Sequence, residues 1–282
     1  MLREVYAREI EKVVEDLCVQ ANTVLREDMF EALREASMKE GNTSSSKKML
    51  DIIIENAKIA RRDNMPLCQD TGLVTVFIEI GSEVFIKDGY SIDAVNSGVK
   101  KAYDKHYLRK SIVEDPICRK NTGTNTPAVV HTDIVEGNKI NICVMPKGFG
   151  SENKSRVVML NPTCKKEEIV NFCVKVVKDA GPDACPPYVL GVGLGGSMES
   201  CAYLAKKALL RPITTSNKKS YIAEIENEIK EKANALEIGV MGLGGEFTVL
   251  GVNVKEAPTH IAGCPVAVNI ACHSLRSASA EI

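Results

Sequence analysis

Met65-Pro66-Leu67-Cys68-Gln69-Asp70-Thr71-Gly72 sets a thiol, an amide, a carboxylate and a hydroxyl between a proline and a glycine, and the elements on either side of it indicate the fold. Pro66 holds its own φ and biases Met65 away from helix, while Gly72 can take a backbone conformation that a Cβ would resist. Upstream, apolar spacing predicts a helix over 46–62; downstream, Leu73-Val-Thr-Val-Phe-Ile-Glu-Ile80 predicts a strand. The polar groups therefore fall on a stiff loop at a sheet end, where binding sites often lie. A purely structural role competes: Asp70 or Thr71 can close the turn, and Cys68 can be a small buried hydrophobe.

Outward from this loop, residues 4–25, 28–40 and 47–62 carry apolar residues at helical spacing, with the polar linker Gly41-Asn-Thr-Ser-Ser-Ser46 between the last two. We expect an N-terminal helical segment over 1–62, continuous with a sheet-bearing region over 63–282, in an α/β (α+β) fold of mixed β-sheets with flanking helices. A helix over 91–106 ends in His106-Tyr-Leu-Arg-Lys110, either a solvated helix end or an anion clamp. Asn121-Thr-Gly-Thr-Asn-Thr-Pro127 is a turn dense in hydroxyls and amides, followed by strands near 128–133 and 139–145. In Pro146-Lys-Gly-Phe-Gly-Ser-Glu-Asn-Lys154, Gly148 and Gly150 let backbone N–H groups converge on an anion beside Lys147 and Lys154. Gly181-Pro-Asp-Ala-Cys-Pro-Pro-Tyr188 places Cys185 on a second proline-stiffened turn.

Gly191-Val-Gly-Leu-Gly-Gly196 matches the dinucleotide fingerprint, with a strand before it and a helix after. The fingerprint also needs a parallel strand ending in an acidic residue about 20 positions on; here Arg211–Lys219 leads into a charged helix instead. The glycines are expected to let strands pack closely or to approach some other ligand.

The 282 residues carry 36 Lys plus Arg against 37 Asp plus Glu, so no overall field favours nucleic acid or an anionic membrane surface. No apolar run approaches a membrane span, and the N-terminus reads as a charged helix, so a cytoplasmic setting is expected. Such a setting keeps the ten cysteines reduced. The chain has no C-x-x-C, which argues against a zinc knuckle or a ferredoxin-type run; ligands to any metal must come from distant loops. Pro258–Arg276 concentrates Cys264, Cys272, two of the four histidines and an arginine.

Five motifs in order, Cys-Gln-Asp-Thr-Gly at 68–72, Asn-Thr-Gly-Thr-Asn at 121–125, Lys-Gly-Phe-Gly-Ser-Glu-Asn-Lys at 147–154, Cys-Pro-Pro-Tyr at 185–188 and Gly-Cys-Pro-Val at 263–266 with Cys272 after it, resemble one family. The chain is similar to the α subunits of the two-subunit class I fumarases, iron–sulfur hydro-lyases that include L-tartrate dehydratase. The resemblance covers residues 65–276 and implies Cys68, Cys185 and Cys272 as the three thiolates of a 4Fe-4S cluster, with Cys264 a neighbour. Three thiolates leave one iron open as a Lewis acid.

It further implies a four-carbon dicarboxylate substrate, fumarate or (S)-malate first and tartrate as the alternative. Asp70 and His260 are then the catalytic candidates, and Gln69, Arg109, Gly150 and His260 the substrate-binding ones. Arg109 would clamp a carboxylate, and Asp70 would exchange a proton with the substrate hydroxyl. The base for the C3 proton and further carboxylate-binding cations would come from a separate β subunit, in an α2β2-type assembly. Phe149 departs from the glycine usual in single-chain fumarases and leaves the choice of acid open. A non-catalytic subunit binding a small anion through its glycine loops is the rival from another class.

Overall fold

The computed structural model describes residues 2–42 and 44–282. In chain order the elements are β1 (Arg3–Tyr6), α1 (Ala7–Thr23), α2 (Glu27–Lys39), α3 (Ser45–Asp63), β2 (Leu73–Gly81), β3 (Val84–Lys87), α4 (Ser91–Lys105), β4 (Val129–Val135) and β5 (Ile140–Lys147). There follow α5 (Phe149–Glu152), β6 (Arg156–Leu160), α6 (Lys166–Ala180), β7 (Tyr188–Gly196), α7 (Met198–Ala208), α8 (Ser220–Asn234), β8 (Val249–Thr259), β9 (Cys264–Ala271) and β10 (Ala278–Glu281). This is the α/β class expected, with mixed sheets and flanking helices. The chain divides into two compact units: Met1–Arg26, Ala57–Phe149 and Arg276–Ile282 form one, Glu27–Asn56 and Gly150–Leu275 the other.

The first unit is built on a four-stranded sheet in the order β10-β5-β2-β4. β2 runs antiparallel to β5 and parallel to β4, and β10 closes the far edge antiparallel to β5. Alternation sends Val74, Val76, Ile78 and Ile80 of β2 and Ile140, Ile142 and Val144 of β5 to one face. There they meet Ile10, Val14, Leu17 and Ala21 of α1 and Val95, Val99, Ala102 and Tyr103 of α4, which recur at helical spacing.

One expectation needs correction here. The helix predicted from residue 4 starts at Ala7, because Arg3–Tyr6 pairs in parallel with β3. Its side chains fit either periodicity, and the long-range backbone pairing decides.

The second unit carries the sheet β6-β9-β7-β8, with β7 parallel to β8 and antiparallel to β9. Val170, Cys173, Val176 and Val177 of α6 and Ile222, Ile225 and Ile229 of α8 cluster with Leu190 and Val192 of β7. On the intervening residues of β7, a Cβ at Gly191 or Gly193 would lie 2.0 Å from the carbonyl oxygens of Ala205 and Cys201 in α7. The strand runs through to Gly196, and Gly191 and Gly193 of the fingerprint serve the close seat of α7 on the sheet. Among the described residues no helix is long and apolar enough to cross a membrane.

Candidate active site

In the first unit the Cys68–Gly72 loop is tied down from several sides. The Leu67 N–H donates to the carbonyl of Asn22 (2.8 Å), the Tyr103 hydroxyl to that of Thr71 (2.5 Å), and Thr71 Oγ1 to that of Arg109 (2.8 Å). Asn125, fully buried, donates to the Gly72 carbonyl (3.2 Å) and accepts the Ser111 N–H (2.7 Å). Gly72 has φ +79°, and a Cβ there would come within 2.8 Å of the Lys147 backbone nitrogen. Only glycine fits both conditions.

These ties fix Asp70. Its Oδ1 accepts the Gly72 N–H (2.9 Å), its Oδ2 accepts the Phe149 N–H (2.8 Å), and the Arg276 guanidinium donates to its main-chain carbonyl. The carboxylate thus closes the turn and is held at both oxygens. Cys68 and Gln69 are exposed beside it. Arg109 is exposed too, its guanidinium without a polar partner among the described residues, whereas Lys110 in the same basic run pairs with Asp104. The run is a helix end with one cation left over.

In the second unit, Cys185 and Cys272 come together through His273. The Cys185 carbonyl faces both the His273 N–H (3.3 Å) and its Nδ1 (3.2 Å), while Cys272 Sγ lies 3.1 Å from Ser274 Oγ. Burial pushes the Tyr188 phenol well above its ordinary value, and the Cys185 and Cys272 thiols add to the rise. Cys185 has φ +58°, a conformation that costs a residue with a Cβ and that clusters at functional sites. His260 lies exposed just past β8, where Nδ1 accepts the Ala262 N–H (3.1 Å) and leaves the proton to Nε2. Gly150, in α5, is exposed with open space where a Cβ would stand.

The first unit therefore gathers Cys68, Gln69, Asp70 and Arg109, and the second holds Cys185, Cys272, His260 and Gly150. Among the described residues, no three His, Cys, Asp or Glu side chains form a site for a single metal ion.

The cysteines themselves sort by environment. Cys18, Cys173 and Cys201 are buried, and burial pushes their thiols up, to about 12 for Cys173 and about 11 for Cys201. Those are poor sources of thiolate. Cys264 is raised to about 11 by burial and by Cys164, whose Sγ is 3.3 Å away. Cys68 is exposed, Cys185 and Cys272 half-buried, and all three lie on loops, as do exposed Cys118 and half-buried Cys164. Sequence reasoning missed Tyr103, Asn125, His273 and Arg276 as supports of the two loops; Asn125 lay in the 121–125 motif and His273 and Arg276 in the dense 258–276 stretch, whereas Tyr103 carried no signal.

The family model for fumarate hydratase (fumerase) matches residues 11–281. The chain belongs to this family. It is accordingly a hydro-lyase. A protein of Methanocaldococcus jannaschii named as a candidate L(+)-tartrate dehydratase subunit alpha is 41% identical over 279 residues, 97% of each chain. The L(+)-tartrate dehydratase subunits alpha of Escherichia coli K12 and of Shigella sonnei Ss046 are each 32% identical over 269 residues, 94% of this chain and 88% of theirs.

Proposed function

We propose that this chain is the α subunit of an iron–sulfur hydro-lyase that removes water from a four-carbon 2-hydroxy dicarboxylate, with L(+)-tartrate as substrate. The observation that carries the reading is the Asp70 carboxylate, held by two backbone N–H groups and directly following exposed Cys68 and Gln69, in a loop hydrogen-bonded to the Arg109 backbone. The relatives' names favour tartrate; the family description favours the second substrate reading, fumarate and (S)-malate.

Cys68, Cys185 and Cys272 would hold a 4Fe-4S cluster, and their exposure and loop setting suit that donor set. When bound, such a cluster supplies an open iron that acts as a Lewis acid toward a hydroxyl and a carboxylate. Arg109 binds one carboxylate through its free guanidinium, with Gln69 and the Gly150 amide orienting it and His260 donating from Nε2. Asp70, which cannot swing while both oxygens are held, gives a proton to the departing hydroxyl, which leaves as water, and takes one back in the reverse hydration. Negative charge builds on the carbon next to a carboxylate during elimination, so these donors stabilise the transition state more than the ground state. A β subunit supplies the base and the remaining cations, as the relatives' designation as α subunits suggests.

The test is anaerobic reconstitution with iron and sulfide, then turnover with the β partner. We expect about four irons per chain, lost in Cys68→Ser, Cys185→Ser and Cys272→Ser alike, and kcat/KM higher for L(+)-tartrate than for (S)-malate. An iron content indifferent to all three changes would overturn the ligand set. The reverse substrate order would make the protein a fumarase, and a loaded complex inert toward every four-carbon diacid would leave the anion-binding subunit.

A further inference from the structure

Arg276 is 3% exposed, yet among the described residues no carboxylate pairs with it and its Nε, fully buried, has no hydrogen-bond partner. Its one hydrogen bond runs from Nη2 to the main-chain carbonyl of Asp70. Burying a guanidinium without a counter-charge is expensive, and a well-packed apolar side chain of similar length would avoid that cost. Burial pushes the Tyr103 phenol up and the Cys18 thiol adds to this, while the Arg276 charge pulls the other way. Tyr103 in turn holds the carbonyl of Thr71, the residue after Asp70.

We propose, building on the hydro-lyase reading above, that Arg276 is a positioning residue for Asp70: it fixes the Asp70 peptide from beneath so that the carboxylate stays on the Gly72 and Phe149 amides. Arg276 acts on the substrate only through Asp70. The peptide it grips is the one whose side chain does the proton exchange, and a rotation of that peptide would carry both carboxylate oxygens off their donors. The charge is maintained at a cost to folding because it keeps an anionic loop in register.

Two variants and one reference decide this. In Arg276→Met, amide hydrogen exchange on the full chain should quicken at Gly72 and Phe149, and in the loaded complex kcat should fall roughly tenfold or more with KM changed less than about threefold. The thermal midpoint should hold or rise, since an unpaired buried charge has gone. Arg276→Lys, which keeps charge and a donor, should recover part of kcat and slow the exchange again. Unchanged exchange with wild-type kcat would overturn the proposal. So would a raised KM at constant kcat, which would make Arg276 a substrate contact, or a loss of folding in both variants, which would make its role structural alone. Asp70→Asn is the reference. If it still turns over, the hydro-lyase assignment of Asp70 fails while the exchange data still judge Arg276; if it is inactive and Arg276→Met is normal, the failure is this proposal's own.

Discussion

Replacing Asp70 by Asn keeps the size of the side chain but removes its capacity to give up or take a proton. The loaded complex should retain its iron and lose on the order of 10²- to 10⁴-fold in kcat, a general acid's share; an Asn variant at wild-type rate would return Asp70 to the simple turn-closing role. That role is also present, since Oδ1 does accept the Gly72 N–H, and here the two readings of one residue coincide. Gly72→Ala tests the turn itself. A Cβ at φ +79° and 2.8 Å from the Lys147 nitrogen should cost about 2–3 kcal/mol, read as a lower urea midpoint. Thiol chemistry separates the cysteines at the same scale. In the unloaded chain at pH 8, iodoacetamide should label Cys68 and Cys118, the exposed pair, well before Cys18, Cys173 and Cys201, which should react only on unfolding.

At the scale of elements, β7 and α7 explain why the glycine fingerprint misleads. Gly191 and Gly193 face a helix at backbone distance, so the same spacing that would admit a pyrophosphate admits α7. Gly193→Ala should therefore destabilise the second unit by about 2–3 kcal/mol in urea titration, whereas a nucleotide-binding role would leave the fold intact. Sequence alone could not separate these, because both demand glycine; the missing acidic strand was the usable hint. Most helices and the strands β2, β4 and β5 were readable from the sequence, whereas β6, β9 and β10 were not. Nor was β1, because four residues carry too little pattern and their partner, Val84–Lys87, is distant in the chain. The site loops were readable as loops from Pro66, Gly72, Pro186 and Pro187, but Tyr103, Asn125 and His273 support them through contacts that no local spacing announces.

For the whole molecule, the buried thiols set an alkaline limit. Their folded values are raised above the unfolded value of about 8.5, so the native chain keeps protons that the unfolded chain releases, and stability falls as pH climbs through that window. Each such group contributes a slope of up to about 1.4 kcal/mol per pH unit. The urea midpoint should be level from pH 7 to 8 and decline from about pH 9 to 11, and Cys173→Ala should flatten the decline by one group's share.

The division into units has a further consequence, for synthesis. The chain passes between the units at 26/27, 56/57, 149/150 and 275/276, and β10, which edges the first unit's sheet, is made after every strand of the second. The nascent polypeptide cannot finish its first unit early. Until residues 278–281 clear the ribosome, the β5 edge stays open to pairing with any other strand, so this protein should lean on chaperones that shield sheet edges during translation.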